Sequence, residues 1–147
     1  MAAIEGEVII GRPVEVVFDY VADQRNEPQY NQRMVRAEKI TEGPVGAGTV
    51  FHSAVASHGR SAEMRIEYTA YRRPTLLAST TTMYQADFTA TLTFEPVPAG
   101  TRMQWSEQVR LKHGFKLAAP LVTWIGRRQE QAIWTSMKRY LEADGRP

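Results

Sequence analysis

The stretch GFKLAAPLVTWIGRRQEQAIWTSMKRYLEADG, residues Gly114–Gly145, decides how the rest of the chain is read. Leu121, Ile125, Arg128 with Gln129, Ala132 with Ile133, Ser136 with Met137 and Tyr140 with Leu141 recur at steps of three and four, which puts them on one face of a long helix. Lys116, Arg127, Glu130, Lys138, Arg139 and Glu142 fall mostly off that face, and Gly145 supplies a stop. Pro120 sits only a few residues into the segment, so the helix either starts or kinks there. The half nearer Gly114 is expected to stand off its neighbour and roof a pocket with Leu117, Leu121 and Trp124. The half ending in MKRYLE, Met137–Glu142, is expected to clamp down as core.

Toward the N-terminus the hydrophobic period changes to two. Candidate strands are residues 4–10, Met34–Thr41, Thr49–Ser57, Ala62–Tyr71, Leu76–Tyr84, Asp87–Glu95 and Arg102–Leu111. The connectors carry turn chemistry: Gly43-Pro44-Val45-Gly46-Ala47-Gly48, His58-Gly59-Arg60, Arg73-Pro74 and Pro96–Gly100. Between the first two strands, Pro13 suits a first helical turn, and Val14, Val17, Phe18 and Val21 repeat at helical spacing. Asp23–Asn31 is polar and contains Pro28, and it reads as a second short helix or turn with Tyr30 tucked inward. Within the strands Met64, Ile66 and Tyr68 oppose Glu63, Arg65 and Glu67. Phe88, Ala90, Leu92 and Phe94 oppose three threonines and Glu95. Met103, Trp105, Glu107 and Val109 oppose Gln104, Ser106, Gln108 and Arg110. One face is apolar and the other solvated, as in an antiparallel sheet covered on one side, and the C-terminal helix is the natural cover. The fold class is α+β.

The 147 residues suit one domain, 1–147, with a real core, since 43% are hydrophobic. A net charge of +2, with arginines spread over every element, lacks the clustered basic stripe that nucleic-acid binding needs. The absence of cysteine excludes disulfides, thiolate metal sites and cysteine nucleophiles. MAAIEGEVII carries glutamates where a signal peptide carries positive charge, and the most apolar run, Leu117–Gly126, is shorter than the roughly 20 residues that span a bilayer. These features predict a cytoplasmic protein with no integral membrane segment, monomeric or homodimeric. Gly43–Gly48 has GxxGxG spacing and precedes a strand, so it is neither a dinucleotide fingerprint nor a P-loop, and it reads as a turn between strands.

The pieces RPVEVVFDYVAD, EGPVGAGTVFH, EYTAYRRPTLLAS, FEPVPAGTRMQWSE and MKRYLE, in the order strand, two short helices, six strands and a long helix, resemble the helix-grip superfamily. That superfamily includes START-like lipid-binding domains, birch-pollen-allergen-like proteins and the bacterial polyketide cyclase/dehydrase family. The match runs essentially end to end, and its pieces mark the fold without being a catalytic signature. The resemblance implies a curved antiparallel sheet of about seven strands gripping the C-terminal helix around a hydrophobic cavity. It implies a small hydrophobic ligand, polyketide-like, aromatic or lipid, with no cofactor and no metal. Some members cyclise or dehydrate the ligand and many only bind it.

Within that cavity Glu107 is the foremost chemical candidate, because by strict alternation it shares the inner face with Met103 and Trp105. A carboxyl among aromatics loses hydration, which raises its pKa toward general acid/base use; the alternative is a solvated or ion-paired group at the mouth, partnered by Arg127 or Arg128. Tyr68 offers a phenol on the inner face, either for a ligand carbonyl or satisfied within the protein. The expected pocket lining is Met64, Ile66, Phe88, Met103, Trp105, Leu117, Leu121, Trp124 and Ile125, each of which also fits plain core packing. His52, His58 and His113 have no metal-ligand spacing; each is a proton-shuttle candidate or ordinary surface, and the face of His52 is open. Three functions stand: a cyclase/dehydratase-like enzyme, a hydrophobic-ligand carrier, or a domain whose cavity has collapsed.

Overall fold

The computed structural model describes residues 2–57 and 59–143. The readings of His58 as an exposed turn residue and of Gly145 as the helix stop lie outside them. Strand β1 (Ala2–Ile10) leads into helix α1 (Val14–Ala22) and a 3₁₀ helix (Gln24–Gln29). Strands β2 (Met34–Lys39), β3 (Val50–Ser57), β4 (Arg60–Arg72), β5 (Leu76–Thr82), β6 (Ala86–Val97) and β7 (Gly100–Leu111) follow, then a 3₁₀ turn (Phe115–Ala118) and helix α2 (Ala119–Ala143). Every strand pairs antiparallel with its sequence neighbour except β1, which closes on β7, giving the order β1-β7-β6-β5-β4-β3-β2. This curved, one-sided sheet around a long C-terminal helix is the helix-grip arrangement that the resemblance implied, and its one-sidedness is what the alternation of residues implied.

The parity of the strands holds across the sheet. On β7, Met103, Trp105, Val109 and Leu111 are buried while Gln104, Ser106, Gln108 and Arg110 are exposed. On β4 a bulge between Tyr68 and Ala70 shifts the register. Tyr71 therefore also turns inward, where its ring meets Phe18 edge-on at 5.2 Å. The outer face carries ion pairs such as Arg102 with Glu95, Arg36 with Glu63, and Arg110 and Lys112 with Asp87. In water such pairs contribute little each; their effect is to keep that face solvated. His52 belongs to this outer face, 3.5 Å from Glu63.

Helix α2 starts at Ala119, immediately before Pro120, and runs unbroken for 25 residues. Its buried stripe differs from the one its large apolar residues trace. The residues that meet the sheet are Ala119, Val122, Gly126, Ile133, Trp134, Met137 and Leu141. In the first half this is rotated about one residue from the Leu121–Ile125 face, so Leu117, Leu121, Trp124 and Ile125 point outward. Close approach explains the rotation: a Cβ at Gly126 would sit 2.6 Å from Cδ1 of Ile4, so the backbone of α2 rests directly on β1. Two clusters hold the helix. One joins Trp134, Met137 and Leu141 to α1 and the sheet, and the other packs Ala119 and Val122 on Ile4, Ala86, Val109 and Leu111. Glu142 adds a tether, accepting the Gly11 backbone N–H at 2.7 Å.

The two faces of α2 differ in what truncation costs. Met137→Ala is expected to destabilise the fold by about 2–5 kcal/mol as a buried cavity-forming change, and Leu121→Ala by less than about 0.5 kcal/mol as a surface change. Urea unfolding of both variants checks this; equal losses would return the buried stripe to the Leu121 face.

Candidate functional site: a cavity with three carboxyls

Between its two anchored ends α2 spans the sheet without filling the space beneath. The result is a cavity of about 320 Å³, roofed by Gln129, Glu130, Ile133 and Trp134 and floored by β3 to β7. Met64, Ile66, Leu77, Phe88, Ala90 and Leu92 supply apolar wall, and the segment after α1 adds Gln24, Glu27 and Asn31. Exposed Arg33 and Gln129 mark its open side. A volume of this size suits a small organic ligand, and it sets aside the collapsed-cavity reading.

Of the residues singled out from sequence, Met64, Ile66, Tyr68, Phe88 and Glu107 line this space. Met103 and Trp105 do not. Met103 is fully enclosed, and Trp105 packs 6.2 Å from Trp134 with its ring over Gly6, where a Cβ would come within 2.4 Å of it. Both belong to the core that seats α2. Leu117, Leu121, Trp124 and Ile125 are also outside the cavity, on the outward face of the helix. The roof is therefore the middle of α2 and not its first turns. His113, at positive φ, stacks on exposed Tyr84 with ring centroids 4.3 Å apart, and neither lines the cavity.

Tyr68 contributes its ring to the wall, but its hydroxyl is engaged. It donates to the Ala22 carbonyl oxygen and accepts from Nε2 of Gln24 at 3.3 Å. Burial raises the phenol well above its usual range, so Tyr68 does not ionise near neutrality. Its proposed proton-moving role gives way to a structural one, the join between β4 and the end of α1.

Glu107 has company that the sequence pattern did not reveal. Glu130, read as lying off the helix face, and Glu27, in the polar segment after α1, line the same cavity. Neither Arg127 nor Arg128 reaches Glu107, and none of the three carboxyls has an ion-pair partner among the described residues. Glu130 accepts the Trp134 indole N–H at 2.8 Å, and Glu27 accepts an Asn31 amide N–H at 2.9 Å. Removal from water, and then repulsion from Glu27, push Glu107 up to about 7. Burial and then Glu107 and Glu27 push Glu130 well above the carboxylate range, against the pull of the indole bond. Burial raises Glu27 too, with the Asn31 bond opposing. The sequence did hold one signal for Glu130: it lies four residues before Trp134, one helical turn, where side chains meet. Glu27 sits in a short 3₁₀ segment with no period to read. No three His, Asp or Glu side chains among the described residues are grouped so as to hold a metal ion.

An antiparallel sheet closed on one side by a helix, over a cavity with apolar walls and three carboxyls, defines a helix-grip protein. The family model described as polyketide cyclase/dehydrase and lipid transport matches residues 1–142, and the chain belongs to that family. Among solved structures the chain is similar to the protein TTHA0849 from Thermus thermophilus, with 16% identity, a TM-score of 0.83 and coverage of 98% of this chain and 99% of that one. It is similar to a START superfamily protein from Mycobacterium smegmatis, with 13% identity, a TM-score of 0.81 and coverage of 97% and 99%. It is similar also to the Zhui aromatase/cyclase from Streptomyces sp. R1128, with 14% identity, a TM-score of 0.74 and coverage of 94% of each chain. At these identities the likeness is one of fold. No curated protein matches the chain. No helix among the described residues is long and apolar enough to cross a membrane.

The carboxyls set a pH dependence. A carboxyl whose folded pKa is raised binds more protons folded than unfolded, so stability falls as pH rises from the unfolded pKa to the folded one. For Glu107 that window runs from 4.5 to about 7, and Glu130 and Glu27 act in the same direction. Melting temperatures measured from about pH 5 to about pH 8 should decline, and Glu107→Gln should flatten the decline and raise stability at the alkaline end. A variant with an unchanged slope would remove Glu107 from the buried set.

Proposed function

We propose that the chain binds a small hydrophobic molecule, polyketide-like, aromatic or lipid, in the cavity under α2, and that Glu107 and Glu130 handle protons on it without a cofactor. One observation carries this reading: Glu107 and Glu130 face one largely apolar cavity, and neither has an ion-pair partner among the described residues. Two carboxyls with raised proton affinity on one wall suit acid and base roles near neutral pH. Glu107, pushed up to about 7, is available in both forms, and burial favours the protonated form of Glu130.

In a cyclisation, the Glu107 carboxylate takes a proton from a carbon flanked by carbonyls, and the resulting carbanion attacks a second carbonyl of the same chain. Glu130 supplies the proton to the oxygen of that carbonyl. In the following dehydration the Glu107 carboxyl returns its proton to the departing hydroxyl, which leaves as water, while a carboxylate removes the neighbouring C–H proton. The apolar walls hold a flexible chain folded so that the reacting carbons meet. Carriage without chemistry is the second reading, favoured by the engagement of the Tyr68 hydroxyl, which leaves the carboxyls as the principal proton-moving groups on the wall.

Mass spectrometry of the protein as purified, under native conditions, identifies what the cavity holds. A neutral fluorescent probe, N-phenyl-1-naphthylamine, should bind, and Ala90→Trp, which fills the wall beneath α2, should weaken it by at least about tenfold. Unchanged probe binding would move the ligand elsewhere. If the extracted compound is converted by the protein, Glu107→Gln should slow conversion by about a hundredfold or more while leaving binding within a few fold. A bound compound that the unaltered protein leaves intact establishes carriage.

A further inference from the structure

The first turns of the C-terminal helix are apolar on two sides. One side, Ala119 and Val122, is buried on the sheet. The other exposes Phe115, Leu117, Leu121, Trp124 and Ile125, with Leu117 95% and Trp124 56% exposed. From Leu117 to Ile125 there is no charged residue at all. A helix apolar all round is ordinarily enclosed by protein or by lipid, and here only half of it is enclosed.

The charges flanking this patch are of one sign. Residues 108–129 contain five Lys and Arg and no Asp or Glu. Arg110 and Lys112 are held by Asp87, whereas Lys116, Arg127 and Arg128 are exposed without an acidic partner among the described residues. Arg128 lies over the Trp124 ring, 5.0 Å from its centroid, so the cation and the aromatic share one face. Apolar and aromatic side chains fringed by cations match the boundary between acyl chains and anionic headgroups. A second copy of the chain fits poorly, because a two-fold contact through this face sets the same three cations against each other with no acid between them.

We propose that the Phe115–Arg128 face docks on an anionic lipid bilayer surface, with Leu117, Leu121 and Trp124 inserted at the headgroup boundary and Lys116, Arg127 and Arg128 on the phosphates. The helix lies on the membrane and does not span it. This docking does not depend on what the cavity holds.

Trp124 reports directly, since Trp105 and Trp134 are only 3% and 8% exposed. Vesicles of phosphatidylcholine with phosphatidylserine should shift the tryptophan emission of the full chain to the blue and carry the protein down on sedimentation. Phosphatidylcholine alone should do so far less, and added salt should reverse the binding. Lys116→Ala and Arg127→Ala should each lower vesicle partition about fivefold, and Leu117→Ser with Leu121→Ser should lower it at least as much. All four positions are exposed, so folding is expected to persist, and circular dichroism checks this. No blue shift with anionic vesicles, or binding untouched by the two leucine changes, overturns the proposal. So does a blue shift that grows with protein concentration in the absence of lipid, together with a doubled mass in sedimentation, which would make the face a homodimer contact.

Discussion

Everything in this molecule depends on one helix having to cover a sheet wider than itself. Seven antiparallel strands present a single apolar face, and α2 is the only long element among the described residues that can shield it. The helix makes contact where side chains are small or shaped to fit: Gly126 lets its backbone rest on Ile4, and Met137 and Leu141 seat its far end. Burial of Trp134, Met137 and Leu141 contributes about 1.5–3 kcal/mol each by area, enough to hold the helix without contact along its whole length. The sheet curves away from the middle of the span, and the cavity is what remains.

That geometry also explains the chemistry of the lining. A carboxyl on the inner parity of β7 or on the roof of α2 is only partly exposed, and Arg33, which lines the same cavity, lies exposed at its open side without pairing with it. Glu107, Glu130 and Glu27 thus share an apolar space without a counter-charge among the described residues, and burial together with mutual repulsion raises their proton affinity. Their raised proton affinity costs stability as pH rises, and a fold anchored elsewhere tolerates it. The same shortage of cover leaves the outer side of the first turns of α2 bare, so one helix presents a polar roof to the cavity and an apolar, cationic face to the outside.

Much of the fold was legible because local patterns and the global arrangement agree. Period-two alternation in Ala62–Tyr71, Asp87–Glu95 and Arg102–Leu111 assigned the inner face correctly, and Glu107 was found by parity alone. The bulge at β4 lies after Tyr68 and left that parity intact. The helix misled where its largest side chains are not its buried ones: Leu117, Leu121, Trp124 and Ile125 trace a convincing face, but Gly126 rotates the helix away from it. Apolar periodicity locates a stripe and is silent on whether protein covers it.

Local patterns in the chain suffice for the α+β class, the strand succession, the one-sided sheet and the inward carboxyl of β7, because backbone periodicity and turn residues act over a few positions. Only the assembled fold makes Trp105 and Met103 core, engages the Tyr68 hydroxyl with Ala22 and Gln24, and brings Glu27, Glu107 and Glu130 together. Those three carboxyls come from a 3₁₀ helix, a strand and a helix up to 103 positions apart in the chain. Their shared environment exists only once α2 has settled over the sheet, since no local rule couples residues so distant until packing brings them to one cavity.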